Sequence, residues 1–193
     1  MKLRVALFVL CFGILVTSFG QEKNLNLSFK VGYAGLHPIV KGEGLSAEST
    51  YADGVEFGVS LITGLNDKLF LEPGVIYTNI EDEDWLFVPI HFKYYALEKF
   101  SFLIGPQVSF GFADTQGLPI NKAGLDLSFG LSYDITDKLF VEGRYAFEIT
   151  NRTSEPIDLG QYEEFEPFVD ILGELDLKTR MNSLHIILGY KFL

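Results

Sequence analysis

Polar and apolar residues alternate with a period of two along most of this 193-residue chain. In Val55–Leu61 the apolar Val55, Phe57, Val59 and Leu61 share one face, while Glu56, Gly58 and Ser60 share the other. Leu125–Ile135 repeats the pattern, and so does Leu184–Phe192. Successive side chains of a strand point to opposite faces, so this alternation predicts half-buried strands. The same test gives eight segments, roughly 26–36, 54–64, 69–80, 85–96, 100–112, 124–135, 139–149 and 183–193. They exceed the usual strand of about five or six residues. They match the roughly 9–11 residues with which a tilted strand crosses a bilayer.

The connections alternate in length. Leu65–Lys68, Leu97–Lys99 and Thr136–Lys138 are short, whereas 37–53, 113–123 and 150–182 are longer, and 81–84, only four residues, is the weak member of the second set. Tight turns on one rim and loops on the other predict an all-β fold, an eight-stranded antiparallel up-and-down transmembrane β-barrel. The short turns then lie on the periplasmic rim with both termini. The tetrapeptide DKLF occurs at 67–70 and again at 137–140, each time followed by an aliphatic residue and a glutamate. Both copies fall at the end of a short turn. Leu69, Leu71, Leu139 and Val141 are expected to face lipid, with Phe70 and Phe140 closing the lower lumen. In the 150–182 loop, Pro167 could open a short helix with Phe168, Ile171, Leu172 and Leu175 on one face. An extended hairpin arm fits equally well.

Alternation does not say which face is outside. In a soluble lipocalin-like barrel the apolar face lines a cavity, and in a membrane barrel the faces are reversed. Three features favour the membrane. The polar face is rich in glycine (Gly32, Gly58, Gly74, Gly105, Gly130, Gly189), which suits a crowded lumen and would weaken a solvent-facing sheet. Apolar-face aromatics cluster near strand ends, Tyr94, Phe100, Tyr133, Tyr190 and Phe192 on the turn side and Tyr77, Phe110, Phe112 and Phe147 on the loop side. These read as two girdles at headgroup level. The polar face carries charges of both signs, Lys30, Glu56, Glu72, Lys93, Asp126, Glu142, Arg144, Glu148 and Lys191, which can pair across a narrow lumen as a structural network.

Composition adds a leader and removes several function classes. Lys2 and Arg4, an apolar run to Phe19, and small residues at Ser18 and Gly20 predict a secretory signal peptide at 1–20, leaving 21–193 as the barrel domain. A lipoprotein reading through Cys11 suffers from Leu10, where a small residue is wanted. Cys11 is the only cysteine, so the expected mature chain has neither a disulfide nor a thiolate metal site. Net charge is −11, and −13 once Lys2 and Arg4 are removed, which speaks against nucleic acid.

Candidate chemistry is sparse. His37 opens the first loop, while His91 and His185 fall on the polar face with no metal-binding spacing. A lipid-modifying enzyme would need a Ser–His–acid set near the loop-side rim. Ser109 lies there, but neither lumen histidine has an evident serine neighbour. No catalytic residue, cofactor or metal site is therefore expected. A narrow channel past Glu142 and Arg144 is the remaining alternative. The loops are acidic: Glu81-Asp82-Glu83-Asp84 is a run of four, and eight acids lie between Thr150 and Asn182. A solvated surface explains them, and cation-bridged contact with lipopolysaccharide is the sharper idea.

Val88–Phe112, VPIHFKYYALEKFSFLIGPQVSFGF, resembles the fourth and fifth strands of the PorT-like outer-membrane β-barrel family. There a proline-centred apolar strand leads to Lys-Tyr-Tyr, a short turn, and Gly-Pro-Gln with alternating aromatics. The closing LGYKFL fits as well, and the architecture is similar to the OmpX and OmpA barrel class. Many such barrels end on Phe, whereas here Phe192 is penultimate, and Tyr190 and Phe192 keep the apolar spacing. The resemblance implies a non-enzymatic integral outer-membrane protein with acidic extracellular loops, serving envelope integrity, adhesion or assembly of a secretion or gliding apparatus. Its expected partners are membrane lipid, lipopolysaccharide, the insertion machinery and a protein at 150–182, with the chain itself a monomer.

Overall fold

Long strands joined in simple up-and-down order account for most of the described residues in the computed structural model, which describes residues 25–42, 45–48, 52–112, 120–153, 157–158, 174–175 and 178–192. The expected leader at 1–20 and the helix proposed from Pro167 to Leu172 lie outside the described residues. The strands are β1 (Leu25–Gly42), β2 (Leu45–Glu48), β3 (Ala52–Gly64), β4 (Leu69–Ile80), β5 (Glu83–Tyr95), β6 (Phe100–Gly111), β7 (Ala123–Asp134), β8 (Leu139–Glu148), β9 (Ile157–Asp158), β10 (Glu174–Leu175) and β11 (Lys178–Lys191). Every neighbouring pair is antiparallel, and β11 returns to β1 over the register Ser28↔Lys191 to Lys41↔Lys178. Eight strands (β1, β3–β8 and β11) thereby close into a barrel with no free edge. There is no helix among the described residues.

The structure changes four of the expected boundaries. β1 continues past Pro38 to Gly42, so His37 lies in a strand, and β2 folds back against its upper end. β11 begins at Lys178, five residues before the expected 183. The 81–84 connection shrinks to a two-residue turn in which Glu81 and Asp82 have φ of 49° and 68°. Positive φ at both central residues is the hairpin turn whose twist matches that of the flanking strands. In the 150–182 segment, β9 and β10 pair as a short arm, Ile157 opposite Leu175. Leu175 therefore lies in an extended hairpin.

The turn-side rim explains the DKLF repeat. Each short turn has four residues (Leu65–Lys68, 96–99, 135–138). The first two amides of each donate to the same carbonyl beyond the turn: Leu65 and Asn66 to Leu69, Ala96 and Leu97 to Phe100, Ile135 and Thr136 to Leu139. The carbonyls of Lys68, Lys99 and Lys138 then accept the amides of Tyr95, Asp134 and Lys191 on the adjoining strands. In two turns a side chain caps the remaining donors, Asn66 Oδ1 taking the Lys68 and Leu69 amides and Thr136 Oγ1 those of Lys138 and Leu139. The middle turn has exposed Leu97 at that position. Asn66→Ala should lower stability by about 1 kcal/mol, and Leu97→Asn should raise it by a similar amount. Urea titrations of the refolded barrel check both; an unchanged midpoint in both variants would show that the caps contribute nothing.

Candidate functional site, the barrel interior

Side chains point alternately in and out along every strand, so closing the sheet sorts the sequence into two surfaces. Outward go Leu27, Phe29, Val31, Phe57, Phe92, Ile104, Leu127, Phe129, Leu131, Ile186 and Leu188, all exposed. All nine expected girdle residues point outward. Tyr77, Tyr94, Phe112, Tyr133, Phe147, Tyr190 and Phe192 are exposed, and Phe100 and Phe110 are partly covered. Tyr33 is a further exposed aromatic in the outward row of β1. Among the described residues no charged side chain occupies an outward position between the two girdles.

The interior holds the expected charges. Lys30, Glu56, Glu72, Lys93, Asp126, Glu142, Arg144 and Glu148 are all buried, and Lys191 sits half-buried at the turn-side rim. They form a network in three layers. In the lowest, Lys30 Nζ bridges Glu72 and Glu142, the latter at 3.1 Å, while Lys93 approaches Glu72 at 3.6 Å and donates to Ser132 Oγ at 3.2 Å. Phe140 fills the space between the lysines, its ring centre 4.8 Å from Lys93 Nζ and 5.6 Å from both Lys30 and Lys191 Nζ. Cations favour an aromatic face, so the ring both plugs the lumen and stabilises its positive charge. A Cβ on Gly189 would collide with that ring, which fixes glycine there. Phe70, expected to plug the lumen with it, is only half-buried and stacks edge-on against Tyr95 at 5.3 Å. Lys191 closes the rim by pairing with Asp134 at 2.8 Å.

The middle layer contains an arrangement the sequence reading missed. His185 Nδ1 lies 2.7 Å from Glu56 Oε2, and its Nε2 lies 3.0 Å from Ser183 Oγ. Serine, histidine and carboxylate in that relation form the geometry of an activated nucleophile. Ser183 was the evident neighbour after all, two residues from His185 on one strand and therefore on the same face. All three side chains are buried, and Phe87 packs edge-on against the imidazole at 4.9 Å. Beside them Arg144 approaches Glu142 at 3.0 Å through Nε, but the angle is too poor for a hydrogen bond. The guanidinium and both His91 nitrogens have no hydrogen-bond partner in the protein. Buried polar groups of this kind are normally satisfied by internal water.

The upper layer is not uniformly polar, contrary to expectation. Leu36, Ile76, Ile80, Trp85, Phe87 and Ile187 point inward and pack as an apolar cluster against one wall. The opposite wall carries Gln107, Ser109, Asp126 and Glu148. Between them lies Arg152, which falls in the expected 150–182 loop but is here 2% exposed. It pairs with Glu148 at 2.9 Å, donates to Ser109 Oγ at 2.7 Å and to the Lys122 carbonyl at 3.2 Å, and stacks on Trp85 at 5.2 Å. A Cβ on Gly124 would strike the ends of both Arg152 and Glu148, so a larger residue there would displace this ion pair. Above Ser183↔Ala146 the β8–β11 ladder stops, and side chains bridge the seam. Asn182 Oδ1 accepts the Glu148 amide at 3.2 Å, and the Glu148 carboxylate accepts the Met181 amide.

Fold and interior together define a closed eight-stranded antiparallel barrel, apolar outside and ion-paired inside. No protein-family model matches the chain, and no curated protein is similar to it. Among solved structures it is similar to Ail, the attachment invasion locus protein of Yersinia pestis, solved in complex with the heparin analogue sucrose octasulfate: 15% identity over 88% of this chain and 99% of that chain, TM-score 0.47. Similar too are Neisserial surface protein A, at 14% identity over 85% and 97% of the two chains with TM-score 0.44, and the outer membrane protein OprG from Pseudomonas aeruginosa, at 14% over 86% and 95% with TM-score 0.44.

Proposed function

We propose that this chain is an integral outer-membrane protein, a filled and non-catalytic barrel that anchors acidic loop-side segments for a partner outside the cell. One observation carries the reading: among the described residues the outer surface between two aromatic girdles is apolar and free of charge, while the charged residues of the strands between those girdles point inside. Water would solvate the reverse arrangement. An apolar exterior of this height is stable only against hydrocarbon, where every backbone group must also be paired, as closure of the sheet achieves. The resemblance of Val88–Phe112 to the PorT-like family supports the same placement, with 150–182 as the segment that meets a protein partner.

Filling of the interior favours an anchor over a conduit. Phe140, the apolar cluster and Arg152 occupy the lumen at successive heights. The Ser183–His185–Glu56 set favours a hydrolase in its geometry alone, because all three side chains are buried and Phe87 packs against the imidazole. A serine-directed fluorophosphonate should leave the folded protein unlabelled. Labelling that disappears in Ser183→Ala would overturn the non-enzymatic reading. For the placement itself, the protein should fractionate with outer membranes and migrate faster on gels before boiling than after. A soluble protein with no heat-dependent shift would sink the proposal, and steady single-channel conductance would replace the anchor by a pore.

A further inference from the structure

The closing strands rise above the rest of the wall. The outward row of β11 runs Tyr190, Leu188, Ile186 and Leu184, passes Asn182, which is buried in the β8–β11 seam, and then turns polar at Arg180 and Lys178. The outward row of β1 likewise ends at Ile39 and Lys41. In the register Lys41 stands directly opposite Lys178, and Ile39 opposite Arg180. Like charges directly opposed on an antiparallel pair repel. Lys41, Lys178 and Arg180 are exposed, and among the described residues none of them forms an ion pair, in a chain with 26 acids and a net charge of −11. Together with Ile39, Phe147 and Asn182 they line a hollow of about 380 Å³ where the β8–β11 ladder has stopped. The acid at its edge, Glu148, is buried and engaged by Arg152 and the Met181 amide.

The position of the hollow is informative. Phe147 belongs to the loop-side girdle, so the hollow begins where acyl chains end and the three cations stand at headgroup height. Apolar walls below and three rim cations above, which form no ion pair among the described residues and have Glu48 as the one acid beside them in the β1–β2 register, are complementary to an anionic amphiphile. Arg180 offers a fork of donors and the two lysines offer point charges, the usual set for a phosphate. We propose that this notch is a binding site for a phosphorylated glycolipid of the outer leaflet, its phosphate held by Lys41, Lys178 and Arg180 and an acyl chain lying against Ile39 and Phe147. The inference rests on the outer-membrane placement proposed above. The competing occupant is the chain's own acidic stretch between Glu155 and Asp176.

Native mass spectrometry of the refolded full chain tests it with bisphosphorylated lipid A, the same lipid with its phosphates removed, and phosphatidylglycerol. The wild type should retain the bisphosphorylated lipid over the other two, and should release it as salt is raised. Lys41→Gln/Lys178→Gln/Arg180→Gln should weaken retention by about a hundredfold, each cation near a membrane surface contributing about a factor of five to ten. Lys178→Gln alone gives a partial loss if the triple variant folds poorly. Equal retention by the variants, or equal binding of the dephosphorylated lipid or of phosphatidylglycerol, would overturn the site. So would a wild type that binds none of them while Lys178 crosslinks to the 155–176 acids. A wild type without the heat-dependent gel shift would instead reject the membrane placement, so the two failures are distinguishable.

Discussion

Replacing Lys30 by methionine should lower the stability of the barrel by about 3–5 kcal/mol, the usual result of removing one partner from a buried ion pair. Lys30 is 2% exposed and its ammonium touches both Glu72 and Glu142. Without it Glu72 keeps the Ser60 hydroxyl at 2.9 Å and Lys93 at 3.6 Å, whereas Glu142 keeps only an Arg144 that approaches without forming a hydrogen bond. The loss is therefore an unpaired carboxylate in a confined interior and exceeds the net value of the pair. A double variant, Lys30→Met with Glu142→Gln, removes the charge that would be stranded and should recover more than half of the loss. Urea unfolding of protein refolded into detergent micelles reads both. If Lys30→Met costs less than about 1 kcal/mol, water already solvates Glu142, and the filled-lumen account gives way to a hydrated conduit.

The sequence made the barrel legible because a strand's two faces are written in alternation, and all eight wall strands have it. Where one face meets lipid and the other meets charge, as in β7, the pattern is unambiguous: Leu125, Leu127 and Phe129 against Asp126 and Ser128. It weakened where both faces are apolar. In β4 and β5, Ile76, Ile80, Trp85 and Phe87 point inward while Val75, Tyr77, Leu86 and Val88 point outward, so the apolar half of the lumen could not be told from the lipid face. Pro38 hid the upper third of β1, since proline is expected to end a strand. Arg152 had no periodicity to place it, and only the folded mouth brings it onto Trp85. The Ser183–His185 pair was visible as two polar residues at spacing two. Its third member, Glu56, is 129 residues from His185 in sequence. Closure of β11 on β1, and of β1 on β3, is what brings the two together. Local spacing thus gave the wall, and long-range closure decided the contents.

Arginine placed on the outside of the wall should show which solvent that wall meets. Ile104 is 54% exposed, midway along β6, between Phe92 on one neighbouring strand and Phe129 on the other. If the belt faces hydrocarbon, Ile104→Arg should destabilise the refolded barrel in bilayers by about 2–4 kcal/mol, because the guanidinium sits at mid-depth with no protein partner. Phe112→Arg, at the loop-side girdle and 58% exposed, should cost only about 0–1 kcal/mol, since there the side chain reaches the headgroups. If the barrel were a soluble ligand carrier, both sites would be ordinary solvent-exposed positions and both changes would fall within about 0.5 kcal/mol of zero. The depth dependence is therefore the decisive quantity, more than either value alone. Urea titrations of the two variants in lipid vesicles measure it. Two equal and small effects would place this surface in water and reverse the assignment of its two faces.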